Sequence, residues 1–534
     1  MRVIDVGDRG VAVLVEGGDA VERRRRVRGL ANALAAARLD GVTDLVASPG
    51  RVTVVYDPLR AEHPRLRLRI DEVAQGPLDA RADVPEVRHE IPVCYGGTCG
   101  PDFAELCSRH AIDRQALIDL HTAPDYVVET IGFLPGFGYL AGLPERLATP
   151  RRDTPRRLVP AGSVGIGGTF TAAYPFASPG GWNLVGATPA RLFDASRPQP
   201  ALVRTGDRVR FTSIDHGDFA TFRPDVEEPV RALETVGITV LAPGLWTTIQ
   251  DLGRPGHRAD GVPLSGAADA VSLRLANRLV GNPATAAGLE ITLLGPTLRF
   301  ERAADVAIAG AAFPEVPSDK VLRMAAGDVL TLGHATAGCR SYLAAAGGID
   351  VPPVLGSRST LVTAGLGGLR GRQLVAGDAL PIGRDPPGRP AGRLPTRSSG
   401  MAAAPVTLRV VAGEQIGMAD RFWGSHHVAT SRSDRMGVRL DGPTVATDPV
   451  AADLPSVAVL PGTIQLPPDG RPIILLADAQ TIGGYPVVGH VIAADLPRAA
   501  QLRPGSHVQW RQVTIAEAHQ ALRDLDAALG GDPA

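Results

Sequence analysis

Short apolar runs with a period-two pattern mark the first 85 residues of the chain. VAVLVEG from Val11 and RVTVVYD from Arg51 alternate as half-buried strands do. Between them, residues 21–39 carry apolar positions at helical spacing. The pattern predicts a small α+β domain over residues 1–85, with a ferredoxin-like arrangement as the expectation.

Residues 86–225 follow a different pattern. Two helical stretches, over 101–106 and 113–121, give way to short strands that are broken by Gly and Pro. Such strands are typical of a small β-barrel, which we predict here. A charged, irregular stretch over 216–229 indicates a linker at the end of this unit.

The rest of the chain divides into two further units. The first, over 236–395, has one clear helix, AADAVSLRLANRLVGN, which is ended by Gly281. A polar stretch rich in Pro and Arg, over 384–399, predicts a linker. The second unit, over 405–530, has short strands and closes with an amphipathic helix over 515–529. The fold class expected is therefore mainly β with an α+β amino-terminal domain.

One set of loops occurs twice, roughly three hundred residues apart. The first copy reads GSVGI from Gly162, SPGGWNLVG from Ser178 and TGDRVRF from Thr205. The second reads, in the same order, GTIQL, TIGGYPVVG and PGSHVQW. A duplicated Gly-Gly-aromatic loop between short strands predicts two related β-barrel units.

Composition predicts several globular units with many turns. A chain of 534 residues is too long for one core, because domains usually hold roughly 100–200 residues. The 62 Gly and 46 Pro favour tight turns and short strands over long helices. No apolar run approaches the about 20 residues that span a bilayer, and the start MRVIDVGDRG lacks a signal-peptide core. We therefore expect a cytoplasmic protein.

Charge excludes several classes of partner and mechanism. A formal net charge of -1 provides no positive field for nucleic acid or an anionic membrane. Lys320 is the only lysine among 55 basic residues, and it lies in PSDKVL. A Walker A loop and a biotin-carrier motif both need a lysine in a different setting, so the chain carries neither, and we expect no covalent biotin.

The cysteines invite a metal interpretation. Cys94, Cys99 and Cys107 lie close together, with His110 just beyond, whereas Cys339 is remote. The spacing is not the CxxC pair that structural zinc sites favour, and Cys107 lies in a helix-like stretch. Reduced thiols without a metal are the favoured interpretation.

Three polar segments could carry chemistry. TTIQDLGRPGH places Gln250, Asp251, Arg254 and His257 on what should be an exposed loop that leads into a helix, although Asp251 and Arg254 could simply pair with each other. SRSDRMGVRL puts Asp434, Arg435 and Arg439 near a Gly turn, and ADAQTIGGYP places Asp478 and Gln480 at the end of an apolar strand. Side chains at strand ends are often displayed to a site, although packing and capping would use them as well.

Long motifs in these segments resemble a known family. PGFGYLAGLPERLATPRRDTPRRLVPAGSVGIGG with YPFASPGGWNLVGATP resembles the B subunit of 5-oxoprolinase, also called allophanate hydrolase subunit 1 or the Kip inhibitor family. LAPGLWTTIQDLGRPG, YLAAAGGIDVPPVLGSRST, SDRMGVRL and ADAQTIGGYP resemble the C subunit of 5-oxoprolinase, which is the biotin-dependent carboxyltransferase-like, allophanate hydrolase subunit 2 or Kip antagonist family. The chain thus resembles a natural fusion of the B and C subunits. Its run CYGGTCGPD departs from the GEFGPD-like run that is more usual in the family.

The resemblance implies both a fold and an activity. It implies cyclophilin-like β-barrels in tandem, one in the B-like half and two in the C-like half. It also implies ATP-dependent opening of 5-oxo-L-proline to L-glutamate with Mg²⁺ and a separate A subunit. The lactam would be activated by phosphorylation and then hydrolysed. Assembly into a homo-oligomer stays open.

We assign candidate roles to the residues around the duplicated loops. The glycines would donate backbone N–H groups to anionic oxygens, the rings would wall the pocket, and the amides would bond the lactam. The arginine would neutralise charge, and a carboxylate would hold metal or orient the substrate. The catalytic candidates are Asp434, Arg435, Asp478, Gln480 and Tyr485. The substrate-binding candidates are Gly180, Gly181, Trp182, Asn183, Gly483 and Gly484.

Two other functions stay open. The Kip names imply a binding protein that regulates a histidine kinase and has no turnover. Similarity to the terminal part of urea carboxylase implies a carboxyltransferase-like partner of a biotin enzyme, with the biotin supplied by another protein.

Overall fold

A computed structural model describes most of the chain. The described residues are 1–77, 87–221, 236–314, 316–317, 320–384, 405–415, 417, 420–445 and 454–530. The linker predicted over 384–399 lies outside them except for its first residue, and residues 222–229 of the linker predicted over 216–229 lie outside them as well. The start of that second linker is not irregular, because His216–Thr221 forms a helix. None of the helices in the described ranges has both the length and the apolar character to cross a bilayer.

The amino-terminal unit is an α+β domain, as predicted. Its elements are β1 (Arg2–Val6), β2 (Gly10–Leu14), α1 (Ala20–Ala36), β3 (Val42–Ser48), β4 (Arg51–Tyr56) and α2 (His63–Gln75). The four strands form one antiparallel sheet in the order β1-β2-β4-β3. Asp19 caps α1 by accepting a hydrogen bond from the Glu22 N–H. The run from β2 to α2 has the strand–helix–strand–strand–helix order of a ferredoxin-like fold. The position of that fold's last strand, at the sheet edge beside β2, is occupied by β1.

The second unit is built around a closed barrel. Its elements are β5 (Arg88–Tyr95), α3 (Phe103–His110), α4 (Arg114–Thr122), β6 (Tyr126–Ile131), β7 (Gly138–Ala141), β8 (Arg156–Val159), β9 (Ser163–Gly167), β10 (Phe170–Ala173), β11 (Ser178–Gly180), β12 (Asn183–Ala187), β13 (Arg208–Ile214) and α5 (His216–Thr221). The barrel order is β10-β7-β6-β13-β5-β12-β9, and β8 pairs with β11 outside it. Apolar side chains of the barrel strands and of α3 and α4 fill one core.

The third unit differs from the barrel that the resemblance implied. Its elements are β14 (Ile238–Ala242), β15 (Trp246–Gln250), α6 (Ala270–Leu279), β16 (Gly288–Thr292), β17 (Thr297–Phe300), β18 (Ala304–Ala312), β19 (Val321–Met324), β20 (Val329–Thr331), β21 (Ala337–Ala345) and β22 (Ala379–Leu380). The strands form a four-stranded sheet, β20-β17-β14-β22, and a five-stranded sheet, β15-β16-β21-β18-β19, around one core. The chain crosses between the sheets at Gly244 and Gly295, where the backbones approach so closely that a Cβ at Gly244 would lie 2.3 Å from the Leu294 carbonyl oxygen.

The fourth unit contains the second closed barrel. Its elements are β23 (Val406–Ala412), α7 (Asp420–Trp423), β24 (His427–Ala429), β25 (Gly437–Asp441), β26 (Val457–Ala458), β27 (Thr463–Gln465), β28 (Ile473–Leu475), β29 (Ile482–Gly483), β30 (Val487–Val491), α8 (Leu496–Ala500), β31 (His507–Gln512) and α9 (Ile515–Ala528). The barrel order is β23-β30-β27-β28-β25-β24-β31, and β26 pairs with β29 outside it. The final helix, α9, begins with a capping box formed by Thr514 and Glu517.

The two closed barrels repeat each other strand for strand. In each, the first and last strands form the parallel pair, β5 with β13 and β23 with β31. In each, a separate two-stranded ribbon carries the Gly-Gly loop, β8–β11 in one and β26–β29 in the other. The prediction of two related barrel units, made from the duplicated loops, is confirmed.

Candidate functional site

The first Gly-Gly-aromatic loop packs into a hydrophobic cluster that is distinct from the main core of its barrel. Trp182 is only 5% exposed, and its ring lies over Gly167, where a Cβ would come within 2.6 Å of the indole. The Trp182 ring meets Phe137 and Tyr139 edge-on, at centroid distances of 5.6 and 5.7 Å. Gly180 leaves room for the Tyr174 hydroxyl, which would lie 2.7 Å from a Cβ there. In this loop, the aromatic ring therefore supplies packing, and its predicted role as a pocket wall stays a prediction.

The polar groups of the same loop are bonded to backbone atoms. The Asn183 side-chain amide donates to the Pro150 and Ile166 carbonyl oxygens, at 2.9 and 3.3 Å. The Gly181 carbonyl accepts a hydrogen bond from the Arg152 N–H at 2.7 Å. Asn183 therefore fixes the segment around Pro150, and its predicted bond to a lactam would require this arrangement to change.

The second loop is more open. Gly483 lies against the Gln465 side-chain amide, whose Nε2 would be 2.4 Å from a Cβ at that position. Gln480 is partly buried, and its Nε2 lies 3.4 Å from Gln465 Oε1. Gly484 follows, where a Cβ would lie 3.2 Å from Ser456 Oγ, and the Tyr485 side chain after it is 46% exposed.

Tyr485 borders a small surface pocket. The pocket is lined by Arg51, Glu414, Gln415, Leu454, Pro455, Val457, Tyr485 and Val487. Arg51 and Glu414 form an ion pair across it, which links the amino-terminal domain to the second closed barrel. The lining of this pocket includes Tyr485 but not Trp182.

The two loops nevertheless approach each other through Tyr139. Tyr139 packs against Ile482 and Val46, while its ring contacts Trp182 on the other side. Gly132, in the segment that leads to Tyr139, is so close to Ile482 that a Cβ there would lie 2.3 Å from Ile482 Cγ1. The segment 132–139 of the B-like half is therefore the bridge between the loops.

Arg435 lies at the centre of a buried ion-pair network. Its Nε and Nη2 donate to Asp478 Oδ2 and Oδ1, at 2.7 and 2.9 Å, and Nη1 donates to Glu290 Oε1. Nη2 also donates to the Gly266 carbonyl oxygen at 2.7 Å. Burial alone would lower the pKa of Arg435, but the carboxylates of Asp478 and Glu290 outweigh it and raise that pKa. All three guanidinium nitrogens are thus bonded to protein atoms.

Glu290 was not among the residues selected from the sequence. It also accepts a hydrogen bond from the Tyr342 hydroxyl at 2.7 Å and from the Ala268 N–H at 2.9 Å. Burial would raise the pKa of Glu290, yet the nearby Arg435 and Arg340 guanidinium groups lower it overall. The available signal was a single charged residue inside the apolar strand run GLEITLL.

The two carboxylates proposed as metal ligands are engaged to different degrees. Asp478 Oδ1 accepts from Ser265 Oγ at 2.8 Å in addition to Arg435. Asp434 is exposed, and its Oδ1 accepts the N–H groups of Met436 and Gly437 at 2.8 and 3.1 Å. Mg²⁺ requires free carboxylate oxygens, so Asp478 in this arrangement orients Arg435 and does not fit a magnesium site.

Arg254 and Gln250 form a second polar cluster, with unpartnered atoms. Arg254 is 1% exposed, and its Nη2 donates to the Ser359 carbonyl oxygen. Within the described part of the chain, its Nε and Nη1 have no hydrogen-bond partner, and neither has Gln250 Oε1. The Gln250 Nε2 and the Ser265 Oγ both donate to the Thr360 carbonyl oxygen, at 3.1 and 3.2 Å. Because Ser265 also binds Asp478, this cluster adjoins the Arg435 network.

Asp251 holds the loop that presents Arg254. Its carboxylate accepts hydrogen bonds from Ser357 Oγ, the Arg358 N–H and the Gly253 N–H, at 2.6, 2.6 and 2.8 Å. Burial lowers the pKa of Arg254, and the charges of Asp251 and Asp478 only partly oppose that shift. The expected exposed loop is wrong for Gln250, Asp251 and Arg254, because Gln250 ends β15 and all three side chains are buried.

The loop after Arg254 contacts the B-like half. Asp260, at the end of a 3-10 turn, accepts the Gly136 N–H on its carbonyl oxygen at 2.8 Å. His257 Nδ1 lies 3.9 Å from Asp260 Oδ2, and burial raises the pKa of the Asp260 carboxyl. Phe133, close to Gly136 in the chain, has φ 69°, which is unusual for an aromatic residue. Strained backbone of this kind often lies at functional loops.

Both halves of the chain match models of one class of domain. The family model "Carboxyltransferase domain, subdomain C and D" matches residues 1–203. The model "Carboxyltransferase domain, subdomain A and B" matches residues 260–512. The protein is therefore of the carboxyltransferase-domain class.

The relatives define the family. The chain is 40% identical over 307 residues to the 5-oxoprolinase C subunit of Escherichia coli K12, covering 54% of this chain and 94% of that protein. It is 40% identical over 213 residues to the 5-oxoprolinase B subunit of Escherichia coli O157:H7, covering 40% of this chain and 95% of that protein. Urea amidolyase of Lachancea kluyveri is 34% identical over 330 residues, 54% of this chain and 18% of that protein. The chain belongs to the family of the 5-oxoprolinase B and C subunits, and it joins both in one polypeptide.

A solved structure supports this arrangement over nearly the whole length. The crystal structure of TTHA0988 superposes with a TM-score of 0.81 at 35% identity, covering 94% of this chain and 99% of that chain. The fused order of the two halves therefore recurs in another solved protein.

Proposed function

We propose that this chain is the combined B and C component of an ATP-dependent 5-oxoprolinase. In this proposal it opens 5-oxo-L-proline to L-glutamate together with a separate A subunit, with ATP and Mg²⁺ as cofactors. The similarity of both halves to named 5-oxoprolinase subunits supports the proposal.

The observation that carries the proposal is the pair of unpartnered groups on Arg254 and Gln250. 5-Oxoproline has a carboxylate, a lactam N–H and a lactam carbonyl. Among the described residues, the Nε and Nη1 of Arg254 are free to match the carboxylate, and the Oε1 of Gln250 is free to match the lactam N–H. In this proposal, one substrate molecule binds both residues.

Burial makes this pair a strong binding determinant. A buried donor without a partner carries an uncompensated desolvation cost of about 1–3 kcal/mol, and more when it is charged. Arg254 is 1% exposed and Gln250 is 0% exposed, so bulk water does not hydrogen-bond to these groups and does not offset that cost. A bound carboxylate would recover it, which favours an anionic ligand over a neutral one.

The other candidate residues act around this pair in the proposal. Arg435 and Asp478 fix the Gly266 backbone and Ser265 beside the Arg254 cluster. Gln480, Gly483 and Tyr485 lie on the open second loop, where they would contact nucleotide or the A subunit. The remaining candidates maintain the conformation of their loops in this proposal; they are Asp434, Gly180, Gly181, Trp182, Gly484 and Asn183.

Bound ATP would supply the phosphoryl group that activates the lactam carbonyl toward hydrolysis. Arg254 and Gln250 would meanwhile hold the carboxylate and the ring nitrogen, so that the carbonyl carbon stays oriented. We do not assign Asp478 as a Mg²⁺ ligand, because both of its oxygens accept hydrogen bonds from protein donors.

Glutamate formation tests the proposal. The chain is mixed with the A subunit, Mg-ATP and 5-oxoproline, and Arg254→Ala and Gln250→Leu are compared with the control Arg323→Ala, an exposed arginine of the same half. Loss of a charged hydrogen bond predicts a fall in kcat/KM of about 10- to 100-fold for Arg254→Ala.

Wild-type turnover in both Arg254→Ala and Gln250→Leu would overturn the site. Absence of ATP-dependent glutamate formation by wild type would overturn the function, and histidine-kinase binding without turnover would then favour the regulatory alternative.

A carboxyltransferase-like role is the second candidate. The family models and the urea amidolyase relative favour it. The Arg254 cluster would hold a carboxylate there as well, and the biotin would come from another protein. Turnover that depends on bicarbonate and on added biotinyl protein, without 5-oxoproline, would establish this role instead.

A further inference from the structure

Two cysteines and a histidine from distant parts of the B-like half converge on one point. Cys94 Sγ lies 3.3 Å from His216 Nδ1, and Cys99 Sγ lies 3.8 Å from the same atom. The three ligand atoms all lie within 4.8 Å of one another. Both cysteines are buried free thiols, while His216 is exposed and provides access from solvent.

The fold itself brings the three residues together. The last barrel strand, β13, runs parallel to β5, and Ile214 is the register partner of Cys94. His216 begins α5 just after this strand ends, so it returns over the turn that follows β5. A Cβ at Gly97 would lie 3.3 Å from both Cε1 and Nε2 of the His216 ring, which therefore packs directly on the turn between the cysteines.

The distances match those between ligands of one tetrahedral ion. With Zn–S of about 2.3 Å and Zn–N of about 2.0–2.1 Å, tetrahedral geometry separates a sulfur from a nitrogen ligand by about 3.5–3.6 Å. The two observed S–N distances, 3.3 and 3.8 Å, lie on either side of that value. Little movement of the side chains would bring all three atoms around a common centre.

We propose that Cys94, Cys99 and His216 bind one thiophilic divalent cation of the zinc class. Thiolate and imidazole are the ligands that such ions prefer, and three protein ligands leave the fourth position to water. Binding would replace the two thiol protons, which pass to solvent, by two metal–sulfur bonds. The ion would clamp the start of α5 to the turn between β5 and α3.

This site differs from the one that the cysteine spacing suggested. The sequence grouped Cys94 and Cys99 with Cys107 and His110. His110 Nε2 instead meets Thr149 Oγ1 at 2.8 Å, and the cluster in the described part of the chain does not include Cys107. The third ligand, His216, lies 122 residues beyond Cys94, outside the range of local spacing rules.

Metal titration of the full-length, untagged chain tests the proposal. The protein is stripped with chelator under reducing conditions and titrated with Zn²⁺ against a chromogenic chelator, and with Co²⁺ for absorbance. We expect one equivalent of Zn²⁺ bound more tightly than about 1 µM, and a Co²⁺ complex with thiolate charge-transfer and tetrahedral bands. Cys94→Ser, Cys99→Ser and His216→Ala should each weaken binding by at least about tenfold. The matched control Cys107→Ser should bind as wild type does.

Three outcomes would overturn the site. The first is that the wild-type chain does not bind Zn²⁺ stoichiometrically. The second is that the Cys94→Ser chain binds Zn²⁺ as tightly as wild type, and the third is a Co²⁺ complex without thiolate bands. Far-ultraviolet circular dichroism of each variant separates loss of ligand from loss of fold. If a variant unfolds, Zn²⁺ protection of the wild-type thiols from a thiol-modifying reagent decides instead, since a bound ion shields two of the four cysteines.

Discussion

Arg435 and Asp478 form a two-point ion pair in the interior of the C-like half. The bonds are 2.7 Å between Nε and Oδ2 and 2.9 Å between Nη2 and Oδ1. The third guanidinium nitrogen reaches Glu290 on β16, so that the pair joins the fourth unit to the third. Two residues selected as separate catalytic candidates are thus each other's main partners, and they position the loop beside Arg254.

Replacement of Arg435 should cost stability. Arg435→Ala leaves the carboxylates of Asp478 and Glu290 buried without this counter-charge, and breaking such a pair costs about 3–5 kcal/mol. The free energy of unfolding from urea titration measures this effect. Arg439→Ala, at an exposed position of β25, is the control and should change it by less than about 0.5 kcal/mol. Equal stability of the two variants would show that the network contributes no more than surface charge does.

The barrels were predictable because a repeat is visible without knowledge of contacts. GSVGI and GTIQL became β9 and β27, equivalent strands of the two barrels. The roles of the loop residues were harder to predict from the sequence, because the burial of a side chain depends on what packs against it. Trp182 and Tyr485 occupy matching positions in sequence, but Gly167 receives the ring of Trp182 whereas the ring of Tyr485 is 46% exposed.

The site could be predicted only in part, because its hydrogen-bond partners are distant in the sequence. Asp251, Arg254 and Gln250 stood out as a polar cluster, but their hydrogen bonds to residues 357–360 come from a segment about a hundred positions later. Glu290 was hidden within a strand. Local pattern marks the polar residues, whereas the fold decides which of them are left unpartnered.

Gly132 should be essential to the contact between the halves. Gly132→Ala would place a Cβ 2.3 Å from Ile482 Cγ1, and overpacking of this kind costs about 1–3 kcal/mol. We expect a lower urea midpoint and reduced turnover, because the bridge between the two Gly-Gly loops would be displaced. Gly333→Ala is the matched control, since among the described residues no heavy atom beyond Gly333 and its two chain neighbours lies within 4 Å of the position its Cβ would take. A Gly132→Ala chain as stable as the control would contradict a tight contact here.

His490 should make the fold sensitive to mild acid. Burial, with a smaller contribution from the Arg9 charge, lowers the pKa of His490 from 6.5 to about 4. Between those values the unfolded chain binds a proton that the folded chain does not, so stability falls as the pH falls from 6.5 toward 4. The loss from this group is about 1.4 kcal/mol per pH unit, and about 3 kcal/mol over the window.

Urea titrations at several pH values measure the His490 effect. His490→Asn removes the titrating group, so its stability should decline less steeply than that of wild type between pH 6.5 and 4. His334→Asn, at an exposed position, should keep the wild-type slope. Parallel curves for wild type and His490→Asn would refute the assignment.

Truncation of the two aromatic residues of the duplicated loops should change stability by very different amounts. Trp182→Ala removes a ring that is 5% exposed and packed on Phe137 and Tyr139, and loss of a buried Trp costs about 3–5 kcal/mol. Tyr485→Ala removes a ring that is 46% exposed, and we expect a change of less than about 0.5 kcal/mol in the free energy of unfolding. If Tyr485 borders a ligand, its loss should instead raise the KM for ATP or weaken the dependence of turnover on the A subunit. Unfolding curves and saturation kinetics on the same two variants separate these effects, and a large loss of stability in Tyr485→Ala would show that this ring also serves packing.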